Sequence, residues 1–274
     1  MTESSTTPRV SVIVPTRNNI RTIEACLQSV RAQDYPNTEL IVVDNGSTDR
    51  TDEIAAKIAD IALSGGPERS AQRNLGIRTA TGEWILWLDS DMYLPVDAVS
   101  AAVRTAIQTG ATGVALPERT IGEGFWTACR ALERECYLDA PWLHNPRLLK
   151  RDEMVDAGFN EGMSGPEDAD LRLRIRAAGG SVELAPVIVD HDEGRLSLRD
   201  IWSKRYYYGL SLPNLVAGHD GAMADQGAGV MRAYLQNWRR LIRRPIHALG
   251  MAGMRLMEAA GYLVGARAGR RARG

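Results

Sequence analysis

Asp89-Ser90-Asp91 follows directly on the apolar run Trp84-Ile85-Leu86-Trp87-Leu88. Two carboxylates spaced i, i+2 at the exit of a strand can both turn toward one hard divalent cation, with room left for phosphate oxygens. The carboxyl ends of strands are also where open α/β sheets bind ligands. Asp and Ser are equally common in solvated turns, so the triplet alone reads either way. Further along, Gly165-Pro166-Glu167-Asp168-Ala169-Asp170-Leu171 places acids in the first turn of a helix. A carboxylate there can act as a general base or simply favour the helix dipole. His191 lies between Asp190 and Asp192, where it can join oxygen ligands around a metal or make a local pair. Arg73 and Asp44 have the same two faces: ligand contact, or a helix pair and a turn.

The elements that must position these residues alternate. Val10–Thr16 reads as a strand, and Asn18 or Asn19 can cap a helix to about Gln33 with Ile23, Leu27 and Val30 buried. Leu40–Val43 is a second strand, ending in Asp44-Asn45-Gly46-Ser47-Thr48-Asp49, and a helix follows from Asp52 to about Ile61. Glu68–Thr79 is helical, and Thr81-Gly82 breaks before the strand that leads to Asp89. That run is apolar on both alternating faces, as a doubly covered central strand must be. After Asp91 come a helix over 95–109, a strand over 112–116, helices over 124–137 and 166–178, and a strand over 182–189. Beyond Ser197 the pattern is helical throughout. Alternation with short loops predicts an α/β fold, a mostly parallel sheet wrapped by helices.

A chain of 274 residues, 44% hydrophobic and 24% charged, fits one substantial globular core. No apolar run approaches the length of a membrane span, and Met1–Arg9 has no signal-peptide core. Cys26, Cys129 and Cys136 are an odd number without metal-type spacing, which suits buried thiols in a reducing, cytoplasmic setting. The net charge of −1 conceals a basic tail. Residues 232–274 carry ten arginines and one acid, Glu258, on an otherwise acidic chain.

Pro15-Thr16-Arg17-Asn18, the Asp44 cluster, Ala71-Gln72-Arg73-Asn74-Leu75-Gly76, Asp89-Ser90-Asp91, the Glu167-Asp168 block and Asp190-His191 stand in a recognisable order. Together they resemble the family 2 glycosyltransferases of the GT-A fold, over about residues 9–210. The resemblance implies a Rossmann-like GT-A catalytic domain over 1–195 and a helical, arginine-rich extension over 196–274. It implies that Asp44 holds the nucleotide base or ribose, with Pro15, Thr16 and Asn18 alongside, and that Arg73 helps bind the nucleotide. Asp89 and Asp91 would bind ribose and the metal-bridged diphosphate, and His191 would be a further metal ligand. Asp168 would be the catalytic base, with Glu167 beside the acceptor. The activity implied is inverting transfer from a nucleotide-diphosphate sugar, a UDP-sugar or GDP-mannose, to a hydroxyl acceptor in cell-envelope, polysaccharide or glycolipid synthesis. A divalent metal stabilises such a leaving group as a Lewis acid, and imidazole among oxygen ligands suits Mn2+ somewhat better than Mg2+. A non-catalytic nucleotide- or carbohydrate-binding relative is the alternative.

Other readings of the sheet fare worse. No Gly-X-Gly-X-X-Gly follows the first strand and no P-loop occurs. Trp126 and Trp142 precede the Glu-Asp block, and Trp142 can stack on an acceptor sugar or fill a core. In the tail, Leu249, Gly253, Leu256, Met257, Ala260 and Val264 fall near one helical face, with Arg255, Glu258 and Tyr262 on the other. Arginine clusters precede and follow them, Arg273 included. Such a helix predicts docking on the cytoplasmic face of an anionic membrane, where a lipid-linked acceptor would be reached. Packing on the chain itself or in a homodimer is the competing account. Nucleic acid is not expected, since no recognition module accompanies the charge.

Overall fold

The structure, a computed structural model, describes residues 7–219 and 222–271. Most of the polar N-terminal segment, residues 1–6, and Arg273 lie outside the described residues. In chain order the first elements are β1 (Val10–Thr16), α1 (Ile23–Arg31), β2 (Thr38–Asp44), α2 (Thr51–Ile58), β3 (Ile61–Ser64), α3 (Arg69–Thr79) and β4 (Trp84–Trp87). There follow β5 (Met92–Tyr93), α4 (Ala98–Thr109), β6 (Gly113–Ala115), β7 (Glu118–Ile121), α5 (Phe125–Glu135), β8 (Leu148–Lys150) and α6 (Arg151–Ala157). The remainder is α7 (Glu167–Ala177), β9 (Val182–Leu184), β10 (Val189–Asp192), α8 (Leu198–Gly218), α9 (Ala222–Gln236), α10 (Trp238–Arg243) and α11 (Pro245–Arg271).

These elements form two compact units. One comprises residues 1–116, 146–159 and 180–189; the other comprises 117–145, 160–179 and 190–274. Segments 117–145 and 160–179 thus group with the C-terminal helices.

The first unit holds a seven-stranded sheet in the order β3-β2-β1-β4-β8-β6-β9. β1 pairs in parallel with β2 and β4, β2 with β3, and β6 with β9, whereas β8 runs antiparallel between β4 and β6. Every residue of β1 and β4 is buried, as strands covered on both faces must be. Val12, Val14, Leu40, Val42 and Leu86 pack with Ile23, Leu27, Val99 and Val103 of α1 and α4 in one continuous core.

The local readings differ from the structure at identifiable points. α1 begins at Ile23 rather than just after Asn18 or Asn19, because Asn19 first closes a turn on Thr22: the Thr22 hydroxyl donates to Asn19 Oδ1 at 2.8 Å. α2 stops at Ile58, and Ile61 belongs to β3, an edge strand on β2. Asp60 makes that switch by accepting the Leu40 amide at 2.8 Å. The strand read over 182–189 is two strands, β9 and β10, interrupted around Pro186, which has no amide to donate to a ladder.

The second unit is mainly helical. Cys129, Ile201, Met251 and Met254 form its buried apolar cluster. Beside them sits an ionic network: Glu133 is fully buried and Glu258 is 2% exposed. Glu258 meets Arg130, Arg205 (2.7 Å) and Arg255 (3.0 Å), and Glu133 meets Arg130 (2.6 Å) and Arg255. The Tyr137 and Tyr234 hydroxyls donate to Glu133 at 2.7 and 2.8 Å.

Candidate active site

In the first unit the carboxyl ends of β1, β2 and β4 are laced together. Thr16 and Asp44 close the β1–β2 ladder side by side. Gln72 on α3 clamps both strands, its amide donating to the Thr16 and Val43 carbonyls at 2.9 and 2.7 Å. Pro15 is buried in β1, opposite Val43. The exposed Asn18 holds φ +48° and accepts the Thr48 amide on Oδ1 at 2.8 Å. Asn19 then reaches the Ser90 hydroxyl at 2.7 Å. Asp44 is 6% exposed and takes the Ser47 amide at 2.8 Å and the Ser47 hydroxyl. Beside it the buried Thr16 Oγ1 has no hydrogen-bond partner. A buried hydroxyl in that state carries a desolvation cost, which a ligand atom at the strand ends would relieve.

Asp89 is the electrostatic centre of this rim. Arg73, fully buried, donates to Asp89 Oδ1 at 2.7 Å; Arg147 reaches Oδ2 at 3.2 Å, and Arg69 lies 3.9 Å away. The Arg73 guanidinium also sits 4.9 Å from the centre of the Phe159 ring, so both its charge and its plane are used. Asp91 is half-buried two residues on. Cys26 packs beneath the turn, 3.7 Å from the Asp89 carbonyl, and burial together with the charges of Asp91 and Asp89 pushes its thiol pKa up. That thiol is a core residue.

The second unit carries the other acids. Gly165 has φ +100°, and a Cβ there would lie 2.2 Å from Tyr208 of α8, so only glycine admits this entry into α7. Glu167 is fully buried and Asp168 is half-buried in the first turn. Asp170 is committed to Arg174 (2.9 Å) and His219 (2.8 Å). His191 is 8% exposed, with Nδ1 3.0 Å from Glu118 Oε2. Glu118 also meets Arg134, which bridges to Glu193 at 3.1 Å. Burial opposes ionisation of Glu193, but Arg134, His191 and Lys204 outweigh it and hold the pKa down at about 2. Trp142 is engaged within this unit: its indole donates to the Gly229 carbonyl at 3.2 Å, and Arg232 lies 4.5 Å over its ring.

Residues 11–163 match the model of glycosyl transferase family 2. The chain belongs to that family. Glycosyltransferase AglE of Haloferax volcanii is 37% identical over 39% of this chain and 38% of its own length. The succinoglycan biosynthesis protein ExoA of Rhizobium meliloti is 28% identical over 61% of this chain and 58% of its own length. The chain thus spans well under two thirds of these curated relatives. The mannosyltransferase PcManGT of Pyrobaculum calidifontis, solved with GDP-Man and Mn2+, superposes with a TM-score of 0.63 at 19% identity, over 94% of this chain and 88% of that one. At that identity the likeness shows the fold, and this family 2 glycosyltransferase has the GT-A fold.

Three residues that contact predicted site residues or their strands, two in the first unit and one in the second, escaped the sequence reading. Arg147 precedes a strand that was itself unread, and Gln72 was quoted only as part of a block. Glu118 had no signal at all, because it meets His191 only through the fold. Asp91 in the first unit offers carboxylate oxygens and His191 in the second an imidazole nitrogen, both donor types that divalent ions accept. A carboxylate on one imidazole nitrogen fixes the ring and raises the basicity of the other, as at metal-binding histidines. Among the described residues no three His, Cys, Asp or Glu side chains converge into a closed metal site. One or two protein oxygens completed by substrate phosphates is the habit of Mg2+-type ions.

Proposed function

We propose that this family 2 glycosyltransferase moves a sugar from a nucleotide-diphosphate donor to a hydroxyl acceptor with inversion at the anomeric carbon. The observation that carries the reading is Asp89, a strand-end carboxylate held in place by Arg73 and Arg147, on the same strand-end rim where the buried Thr16 hydroxyl beside Asp44 lacks a partner. Thr16, Asn18 and Asp44 receive the nucleoside, with Pro15 shaping the strand end. Asp89 fixes the ribose from its arginine cradle, and Arg73 acts by positioning it. Asp91 and His191 hold a divalent ion, Mn2+ or Mg2+, which when bound supplies charge neutralisation for the diphosphate leaving group.

Asp168 takes the proton of the attacking hydroxyl as the new glycosidic bond forms. A half-buried carboxylate at a helix start, with Asp170 already committed elsewhere, is suited to that work. Glu167 shapes the acceptor side. A single base serves one direct displacement, hence inversion. ExoA's role in succinoglycan synthesis supports a glycan or lipid-linked acceptor of the cell envelope.

Calorimetric titration of the full chain with UDP, GDP and dTDP, each with and without Mn2+, tests the donor side. One nucleotide should bind tightly only with metal, and Asp91→Ala should abolish the metal dependence. Binding of none of the three would remove the donor assignment. Metal-dependent binding without transfer to any hydroxyl acceptor would favour a binding protein.

A further inference from the structure

α11 is 27 residues long, about 40 Å of helix. It carries large apolar side chains on the side that faces away from its neighbours. Its inward face joins the apolar cluster through Met251 and Met254, and from Glu258 onward is small and charged, with Glu258, Gly261, Gly265, Ala266 and Gly269 buried. A Cβ on Gly265 would lie 2.1 Å from the Tyr206 carbonyl oxygen, and one on Gly269 would lie 2.4 Å from that of Leu210. α8 and α11 therefore meet backbone to backbone, and the acid of the tail is sealed in the ionic network behind them.

The outward face is apolar. Ile246, Leu249, Leu256 and Leu263 are 70, 75, 75 and 57% exposed. They alternate with Gly253 and Ala260 at spacings of three and four, one stripe along the helix. The same spacing continues into Arg267 and Arg270, both exposed. At the other end α10 exposes Trp238 and Ile242 beside Arg239 and Arg243. A contiguous apolar stripe of this length on an otherwise charged surface marks an interaction site.

We infer that this stripe lies in the plane of an anionic phospholipid surface. No described helix is long and apolar enough to cross a membrane, whereas an apolar face bordered by arginines is suited to the interface between headgroups and acyl chains. The charges select the occupant. From Trp238 to Arg271 the single acid is Glu258, and it is buried. A second copy of this face would bring arginines against arginines in either orientation, with no carboxylate to receive them. Anionic headgroups supply the missing partner at both ends of the stripe. A nucleic acid would answer the arginines and leave the leucines exposed.

Sedimentation of the full chain with vesicles tests this, using phosphatidylcholine alone and phosphatidylcholine mixed with phosphatidylglycerol. Binding to the mixed vesicles, release by salt and neglect of the neutral ones are expected. Leu249→Glu with Leu256→Glu changes only exposed positions and should leave the melting curve unaltered while lowering vesicle affinity about tenfold or more. Arg267→Gln, Arg270→Gln and Arg271→Gln should each lower it about fivefold. Any of three results overturns the inference: indifference to mixed vesicles at low salt, full binding by the double glutamate variant, or a solution dimer that this variant splits. Tight binding to duplex DNA in place of vesicles would do the same. None of these readouts involves nucleotide, so the donor reading and the surface reading fail separately.

Discussion

Asp89 and Glu258 are both carboxylates surrounded by three arginines, one at the mouth of a strand-end rim and one in the middle of a helix. The Asp89 side chain retains 16% of its exposure and Glu258 retains 2%. That difference separates their uses. A carboxylate with an open edge can be fixed on one side and offered to a ligand on the other, whereas a sealed one can only hold the chain together. Buried ion clusters of the second kind add little over well-packed apolar groups, yet removing one partner leaves charges stranded. Site variants should therefore change binding or turnover, and network variants should change stability.

The largest effect expected on the open side belongs to Asp168. Asp168→Asn keeps the size of the side chain and removes its basicity. Turnover should fall by about two to four orders of magnitude, the usual range for general-base catalysis. Nucleotide affinity, read by calorimetry on the same preparation, should stay close to the parent's, because the interaction removed is one made with the attacking hydroxyl in the transition state. Near-normal transfer by this variant would take the proton-accepting role away from Asp168.

On the sealed side, Glu258→Ala leaves Arg130, Arg205 and Arg255 facing one another and should cost about 3–5 kcal/mol. The folded fraction should bind nucleotide as the parent does. The same network sets a pH dependence. Burial opposes ionisation of Glu258, but Arg205, Arg130 and Arg255 outweigh it and hold the pKa down at about 2, against an ordinary 4.5. A carboxylate depressed on folding stabilises fully above its ordinary pKa, and that stabilisation disappears as pH falls through the folded value. Glu193 behaves alike. Melting temperature should be flat near neutrality and fall between about pH 4.5 and 2, and Glu258→Ala should flatten part of that slope.

The two clusters also differ in how far they could be read from sequence. Asp89 announces itself because a motif, an apolar strand and a strand-end position coincide within a few residues. β1, β2, β4, α3 and α7 were legible for the same reason: their burial and termination are encoded locally by apolar runs, Gly and Pro. Glu258 was visible only as the lone acid of a basic tail, placed on the face opposite the apolar stripe. Its arginine partners at 130 and 205 lie far away in sequence, so nothing local says that this charged face is the buried one. β3 was unread and its first residue, Ile61, was given to the preceding helix, because no Gly or Pro separates Ile58 from Ile61; the switch rests on the tertiary bond from Leu40 to Asp60. β8 and α6 were unread, and with them Arg147.

The smallest expected effect concerns Asp44, a third kind of carboxylate, held by a turn rather than by arginines. Its bonds to the Ser47 amide and hydroxyl close the loop after β2, which is work enough for a turn residue. The neighbouring Thr16 hydroxyl, buried and without a partner, gives the position its second meaning. Ser47→Ala removes one hydrogen bond and should cost about 1 kcal/mol of stability. It leaves the carboxylate oxygen that faced the hydroxyl more available, so nucleotide affinity should be unchanged or slightly higher. Asp44→Asn retains an oxygen that can accept the Ser47 amide and should cost no more stability than Ser47→Ala. If Asp44 receives the nucleoside, however, this variant loses a charge-assisted bond and its dissociation constant should rise about tenfold or more. Equal affinity for Asp44→Asn and the parent would make Asp44 a turn residue alone and shift the nucleoside contact to Thr16.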